Sequence, residues 1–395
     1  MTVQQLLTPE QFNLADPDIQ QDPYPFYPIL RETRPVLKTS VGGQPCWVLS
    51  RRADIVKVLM DPQTYSNRHT PLPNMLFSDP PEHERMRKMV GNMFARLAVL
   101  PMAEGIADMA DRLIDKGLSR GGIDVIADFA GPLSIETIGQ LLGISGLHVE
   151  KLRGLSHHFV AYVRALQLGI APSEEARLAT EELNRFVVEL IDTNGYVEGR
   201  VLSALAEQRR IGELDADGLV NFAILLLVAG HSTTTNLIGN AVFILTQRPL
   251  DCDRLVNEDG FSDRFLEEVL RMRPSFHRIH RITTREVEIA GETIPAGAIV
   301  RLMLASGNRD PAFFENPEIF DPDLKRRAHN AFGQGIHSCL GNWLARLEAS
   351  TALVSLAKKT AAVQLDPARP AQPHVGGSFN EFGFDGLPIV ITARL

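Results

Sequence analysis

The stretch that most restricts how this chain can fold runs from Ala216 to about Gln247. It is the longest helical candidate in the sequence, roughly 48 Å at ~1.5 Å per residue. Its first half is apolar nearly all round, so it must be buried on most sides. The most apolar run, Leu219 to Gly230, falls short of the ~20 residues that cross a bilayer, so no membrane span is expected. Then comes Ala229-Gly230-His231-Ser232-Thr233-Thr234-Thr235, an odd cluster for a buried helix. Two readings stand at this point. The hydroxyls pack against neighbours and bond back to carbonyls, or they let the helix open locally beside a bound group.

At 395 residues the chain exceeds the usual single-core size, and two domains are the default expectation from length alone. Apolar content of 44% and charged content of 22% describe an ordinary soluble globular protein. A net charge of −8 argues against broad nucleic-acid binding, which needs a basic face. Cys46, Cys252 and Cys339 are too few and too scattered for a disulfide framework or a paired-cysteine zinc site. Met1-Thr2-Val3-Gln4-Gln5 lacks a basic region followed by an apolar one, so no signal peptide is expected and a reducing cytoplasm is the simplest location.

Cys339 stands apart from the other two. It lies in Phe332-Gly333-Gln334-Gly335-Ile336-His337-Ser338-Cys339-Leu340-Gly341, and the run from Trp343 to Ala349 reads as a helix. Glycines at 333, 335 and 341 permit positive φ and let backbone approach a flat object. A cysteine just before a helix start has its thiolate favoured by unpaired N–H groups, which makes it a good soft metal ligand. The plainer reading is one more small buried hydrophobe, as free cysteines usually are. Phe332, Gly335, the basic His337, Cys339 and Gly341, at relative positions 0, 3, 5, 7 and 9, resemble the haem-binding signature of the cytochrome P450 family. Haem iron held by one Cys thiolate favours O–O cleavage.

Other stretches extend the resemblance along the chain. Asp22-Pro23-Tyr24-Pro25-Phe26-Tyr27 and Asp61-Pro62-Gln63-Thr64-Tyr65-Ser66 are similar to the family's N-terminal half. Phe26 to Arg34 reads as a short helix, and Val36 to Lys38 with Cys46 to Leu49 as paired strands around Gly42-Gly43. Asp79 to Lys88 opens a helix on which His83 and Arg87, four apart, share a face. By resemblance they contact haem propionates, as do Arg281 and His337. Residues from about 98 to 210 are mostly helical by period, broken between Gly169 and Ser173. In the family this region is the lid over the substrate channel. His157 and His158 read as ordinary surface or half-buried residues.

In the hydroxyl cluster Thr233 matches the family's oxygen-activation threonine, with Ala229 and Gly230 against the haem. Ser232 stands where Asp or Glu is usual. A serine hydroxyl can pass protons along a chain but cannot supply them as a carboxyl does. Glu268 and Arg271 have the spacing of the family's buried bracing pair. Its third member, an arginine, is replaced by Ile319, with Lys325 or Arg326 as candidate substitutes. Val287-Glu288-Ile289, Thr293-Ile294 and Ile299 to Leu304 read as a small antiparallel sheet. Leu225, Val228, Phe276, Ile279, Phe379 and Phe382 match an apolar substrate pocket. His277 and Arg278 either point into it and anchor an acidic group or form a basic rim.

The resemblance spans nearly the whole chain. It implies a mainly α protein with a minor β region, a cytochrome P450-like triangular fold forming one domain over residues 1–395. Within it lie a β-containing part to about 80, a helical haem-binding core from about 81 to 360 and a β/turn region from about 361 to 395. The implied cofactor is haem b (iron protoporphyrin IX) on Cys339. The implied activity is a monooxygenase that inserts one oxygen atom into a hydrophobic small molecule, such as a polyketide, terpenoid, fatty acid or carrier-bound acyl group. Electrons would come from a ferredoxin or similar donor. Lys325, Arg326, Arg327 and Arg346 flank the cysteine loop and either dock that acidic partner or are ordinary solvated charge. Two alternatives share the fold: use of peroxide or rearrangement without external electrons, and a haem sensor without turnover.

Overall fold

The computed structural model describes residues 7–14, 16–41, 43–68, 74–144, 152, 155, 158–159, 161–163, 165–166, 171–325, 327–374 and 381–394. The central helix occupies Ala216–Gln247, the bounds its sequence predicts. Asp215 caps it by accepting from the Gly218 amide at 2.7 Å, which satisfies one of the free N–H groups at its start. It packs against the helices Gly131–Leu142, Glu174–Asp192, Phe261–Met272 and Asn342–Lys359. Gly230 permits one of these approaches, since a Cβ there would lie 2.7 Å from the Ile138 side chain. Phe222, Phe265, Phe129 and Leu353 are among the fully buried side chains around it. Burial of this kind is worth about 1.5–3 kcal/mol per large side chain.

By length and composition the central helix could cross a membrane, yet 67% of its most apolar stretch is buried inside the protein. Protein therefore supplies the apolar surroundings that its sequence demands. The described residues between 98 and 210 are mostly helical as predicted, Ala103–Leu118 and Val201–Arg210 adding to the two helices named above, with Gly122–Asp124 a strand. Ser173 is the N-cap of Glu174–Asp192, its hydroxyl accepting from Ala176 N at 3.2 Å, so the break before it is a capped start. Gly169 and His157 lie outside the described residues. His158 meets Glu175 at 3.6 Å, an exposed pairing rather than a ligand position.

A five-stranded sheet comprises β1 (Val36–Val41), β2 (Gln44–Leu49), β3 (Tyr65–Ser66), β4 (Ile279–Thr283) and β5 (Ile299–Leu302), in spatial order β1-β2-β5-β4-β3. The hairpin β1–β2 has the expected pairing, with Lys38 opposite Trp47. The strand β5 corrects an expectation. It leaves Val287–Ile289 and Glu292–Ile294 to form their own hairpin, and runs parallel to β2 and antiparallel to β4. The tight Ala290-Gly291 turn, with φ of 50° and 83°, closes that hairpin on itself. The buried Val300, Arg301 and Leu302 take a central place in the larger sheet. Through β4 the sheet carries Arg281, and through β3 it leads to Asn67. A three-stranded sheet of Gly122–Asp124, Pro388–Ala393 and Thr360–Leu365 brings the C-terminal segment back beside the helical body.

Candidate active site

Two segments that composition would place in the core are only partly covered. On the central helix Leu225, Val228, Gly230, Ser232 and Thr233 are half-buried and Ala229 is exposed, while Leu226, Leu227 and Thr234 are buried. Spacing of three and four residues puts this strip on one face. The loop from Ala331 to Asn342 is likewise half-buried throughout. Its shape is fixed by backbone. Cys339 N donates to Phe332 O at 2.8 Å, Gly333 N donates to Asn330 O at 2.9 Å, and Asn342 Nδ2 donates to Cys339 O at 2.8 Å. Gly333 and Gly335 have φ of 66° and 72°, and a Cβ on Gly335 would overlap the Leu59 carbonyl oxygen. Only glycine fits there.

Burial raises the Cys339 thiol, while the Gly341 amide, Arg87 and Arg346 pull it back. The net direction is upward, opposite to what a helix start alone would give, because burial outweighs one amide dipole and two guanidinium charges. A coordinating metal reverses that balance, since a metal-bound thiol is deprotonated.

Around the loop a set of basic groups converges. The rings of His83 and His337 lie 4.1 Å apart, and Asn67 Nδ2 sits 3.4 Å from His337 Nδ1. Arg87 Nη1 donates to Ser338 O at 2.8 Å. Arg281 is 6% exposed, and burial lowers its pKa to about 10 against the pull of Asp79. Neither Arg87 nor Arg281 has a carboxylate within ion-pair distance among the described residues. His83 is 1% exposed, and its Nδ1 has no hydrogen-bond partner among the described residues. Buried cations without anions are costly, so the cluster suits a ligand that brings carboxylates of its own. A thiol on a glycine-shaped loop, an uncovered helix strip and these donors fit a flat, dianionic macrocycle bound through its metal.

The hydroxyl cluster does not open the central helix. Thr233 Oγ1 donates to Ala229 O at 2.6 Å and Thr235 Oγ1 to His231 O at 3.0 Å, and the helix runs on unbroken. Back-bonding has won over local opening. Ser232 Oγ is shared between Val228 O at 3.4 Å and Glu381 Oε1 at 3.1 Å.

The bracing pair is present and buried. Arg271 donates to both oxygens of Glu268 at 2.7 and 2.8 Å, with 1% and 4% of the two side chains exposed. The expected third arginine is not replaced by Lys325, which is exposed, and Arg326 lies outside the described residues. Backbone does the work. Arg271 donates to the carbonyls of Asn308, Pro317 and Ile319 at 3.1, 2.6 and 3.0 Å, while Asp321 N donates to Glu268 at 3.0 Å. Arg346 departs from its docking assignment. It donates to Glu267 at 2.6 Å and lies 4.5 Å from the Phe332 ring, so it ties the cysteine loop to Phe261–Met272. Arg327 is exposed, 5.0 Å from the Phe313 ring.

The pocket residues divide. Leu225, Val228, Phe276 and Ile279 are half-buried. His277 is not an anchor: its Nε2 meets Tyr24 Oη at 3.0 Å and its Nδ1 meets Tyr27 Oη at 3.1 Å. Burial, followed by Arg278, Arg273 and Arg309, holds its pKa well below the usual range, so it is neutral. Phe382 also leaves the pocket, stacked 3.8 Å from the His277 ring. Arg278 is 4% exposed, so it is no solvent rim. Phe379 lies outside the described residues. Sequence reading missed Asn67, Asn330, Asn342 and Glu381. Glu381 carried one faint signal, an acid between the aromatic residues Phe379 and Phe382.

Fold and site together define a haem-thiolate protein. The family described as Cytochrome P450 matches residues 179–359. The putative cytochrome P450 YjiB of Bacillus subtilis (strain 168) is 34% identical over 343 residues, 85% of this chain and 86% of its own. The vitamin D(3) 25-hydroxylase of Pseudonocardia autotrophica is 32% identical over 361 residues, 87% and 88% of the two chains. Among solved structures CalO2 has a TM-score of 0.87 at 26% identity, covering 96% of this chain and 98% of its own. The chain belongs to the cytochrome P450 family, whose members are haem-thiolate oxidoreductases of the monooxygenase class.

Proposed function

We propose that the chain, as one domain over residues 1–395, is a haem b monooxygenase. It hydroxylates or epoxidises a hydrophobic small molecule of secondary metabolism in the cytoplasm, with electrons from a ferredoxin or similar donor. The observation that carries this reading is the basic set beside the Cys339 loop: buried His83 lies against His337 and half-buried Arg87 donates to Ser338 O, and neither Arg87 nor the buried Arg281 has a carboxylate within ion-pair distance among the described residues. Cys339 would bind the haem iron, His83, Arg87 and Arg281 with His337 would hold the propionates, and Phe332, Gly335, Gly341, Ala229 and Gly230 would border the ring. The bound haem supplies oxygen activation. The protein's own part is to exclude water, orient the substrate against Leu225, Val228, Phe276 and Ile279, and move protons through Ser232 and Thr233.

The acidic-substrate reading turns on Arg278, a buried cation that stands between the half-buried Phe276 and Ile279 in the sequence. Docking of the electron donor rests on Lys325 and Arg327, both exposed.

The test is a spin-state titration of the ferric protein with hydrophobic compounds, each paired with its carboxylic acid, and with acyl thioesters of carrier protein. A low-to-high-spin shift with acids but not their neutral partners is the expected result. A shift with the tethered acyl groups alone moves the substrate to the carrier-bound class. Equal response to neutral compounds, or to acids in Arg278→Ala, overturns the acidic-substrate reading.

A further inference from the structure

Ser232 occupies the place of a missing acid, and the structure brings one to it from 149 residues further along. Ser232 Oγ donates to Glu381 Oε1 at 3.1 Å, and Asn236 Nδ2 donates to Glu381 Oε2 at 3.4 Å. Ser232 and Asn236 are one helical turn apart, so the carboxylate is gripped across that turn. The approach is enforced at Glu381 and at the two residues after it. It forms a bridge with Phe276, Phe382 N donates to Ser275 O at 2.8 Å, and Ser275 Oγ donates to Thr233 O at 2.8 Å. Asn240 Nδ2 donates to Phe382 O at 3.1 Å, and a Cβ on Gly383 would overlap the Asn236 side chain. The C-terminal turn is thus stitched onto the central helix at its hydroxyl cluster.

Near Glu381 stand His374 and Asp385, which reach the surface. His374 is the charged group set against Glu381, and His374 Nδ1 pairs with Asp385 Oδ1 at 2.5 Å. The Asp385 side chain is 53% exposed and that of His374 is 16% exposed. Burial raises the Glu381 carboxyl, while His374, Ser232 and Asn236 pull it down. A buried carboxyl between a hydroxyl and an imidazole is placed to exchange protons with both.

We propose that Glu381 supplies, in trans to the central helix, the carboxyl that the helix itself lacks, and feeds protons to the site through Ser232. This rests on the monooxygenase reading. Once Glu381 is protonated the hydrogen bond reverses, the carboxyl donating to Ser232 Oγ and the Ser232 hydroxyl turning to the site. In one transfer the Ser232 hydroxyl proton then passes to the acceptor in the site and the Glu381 proton passes to Ser232 Oγ, leaving a carboxylate. A His374 imidazolium returns a proton to Glu381, and solvent reprotonates His374 beside Asp385. No group is consumed, and no electron moves in the relay. Glu381 acts through Ser232 and is a positioning and proton-supplying residue rather than one that touches the reacting atoms.

The test compares wild type, Glu381→Gln, Ser232→Ala and the double variant Ser232→Glu/Glu381→Gln, all as holoprotein. Infrared spectra of the resting ferric state read the carboxyl directly. The expected result is a titrating carboxyl band, absent in Glu381→Gln and shifted in Ser232→Ala. In turnover, Glu381→Gln should slow product formation by about a hundredfold, the lower end for a positioned acid, and divert electrons to hydrogen peroxide. Its ferric spin-state response to ligand should be unchanged. Installing the acid on the helix in the double variant should restore coupling, which a merely structural role would not allow. Unchanged coupling in Glu381→Gln, failure of the double variant to rescue, or a band indifferent to Ser232→Ala each overturns the proposal. Wild type that couples no electrons to product despite a sound thiolate spectrum defeats the monooxygenase reading instead, and the infrared result then decides the Glu381–Ser232 contact by itself.

Discussion

Glu348 lies on the Asn342–Lys359 helix that leaves the cysteine loop, 1% exposed, with Ser134 Oγ donating to its Oε1 at 2.6 Å. Burial pushes its carboxyl from an ordinary 4.5 up to about 8, with the Ser134 hydrogen bond only partly opposing. Below pH ~4.5 both folded and unfolded chains hold this proton, and it does not affect stability. Between there and about pH 8 the unfolded chain has released it while the folded one keeps it, so stability falls by about 1.4 kcal/mol per pH unit. Above that range the full penalty, on the order of 5 kcal/mol, is in place. Glu348→Gln keeps the shape and an acceptor for Ser134 but cannot ionise. Relative to wild type it should therefore gain about 2 kcal/mol between pH 5.5 and pH 7.0. Denaturant unfolding of the holoproteins at those two pH values measures this, and taking the difference cancels the other titrating groups. A gap that stays constant or narrows as pH rises would refute the reasoning.

Arg271→Leu should cost about 3–5 kcal/mol, because it strands the buried Glu268 carboxylate, and thermal unfolding will show it. Ile319→Arg, which restores the family's third bracing residue, should change stability by less than about 1 kcal/mol, since Ile319 is 57% exposed and carbonyls already hold Arg271. Gly335→Ala combines a φ of 72° with overlap on Leu59 and should lose haem during purification. The Soret-to-protein absorbance ratio of the purified variant measures this. Arg281→Leu removes a charge-assisted contact of about 1.5–3 kcal/mol, so haem transfer to apomyoglobin should run about ten- to a hundredfold faster.

The parts of this molecule that could be read from sequence are those whose physics is local. The central helix announces its length and burial through its own side chains, and the cysteine loop through glycines that only a tight backbone needs. His83 and Arg87 share a face because four residues make a turn. What escaped the sequence lies in contacts between distant segments. His277 is captured by Tyr24 and Tyr27, some 250 residues upstream, and no periodicity records that. Arg346 had the right charge for docking, but Glu267 from another helix had already claimed it. Ile299–Leu302 carries an ordinary strand pattern, and its choice of β2 over the neighbouring hairpin depends on the Ala290-Gly291 turn. The missing acid at 232 was legible. Its partner at 381 was not, because only the folded C-terminal turn brings the two together.

The central claim, that Cys339 holds the haem, is tested most directly by the carbon monoxide spectrum of the reduced protein. Wild type should show the red-shifted Soret band of a thiolate ligand, and Cys339→Ser should lose it, while Cys46→Ser and Cys252→Ser keep it. A thiolate spectrum that survives in Cys339→Ser, or that disappears with Cys46 or Cys252, would contradict the account.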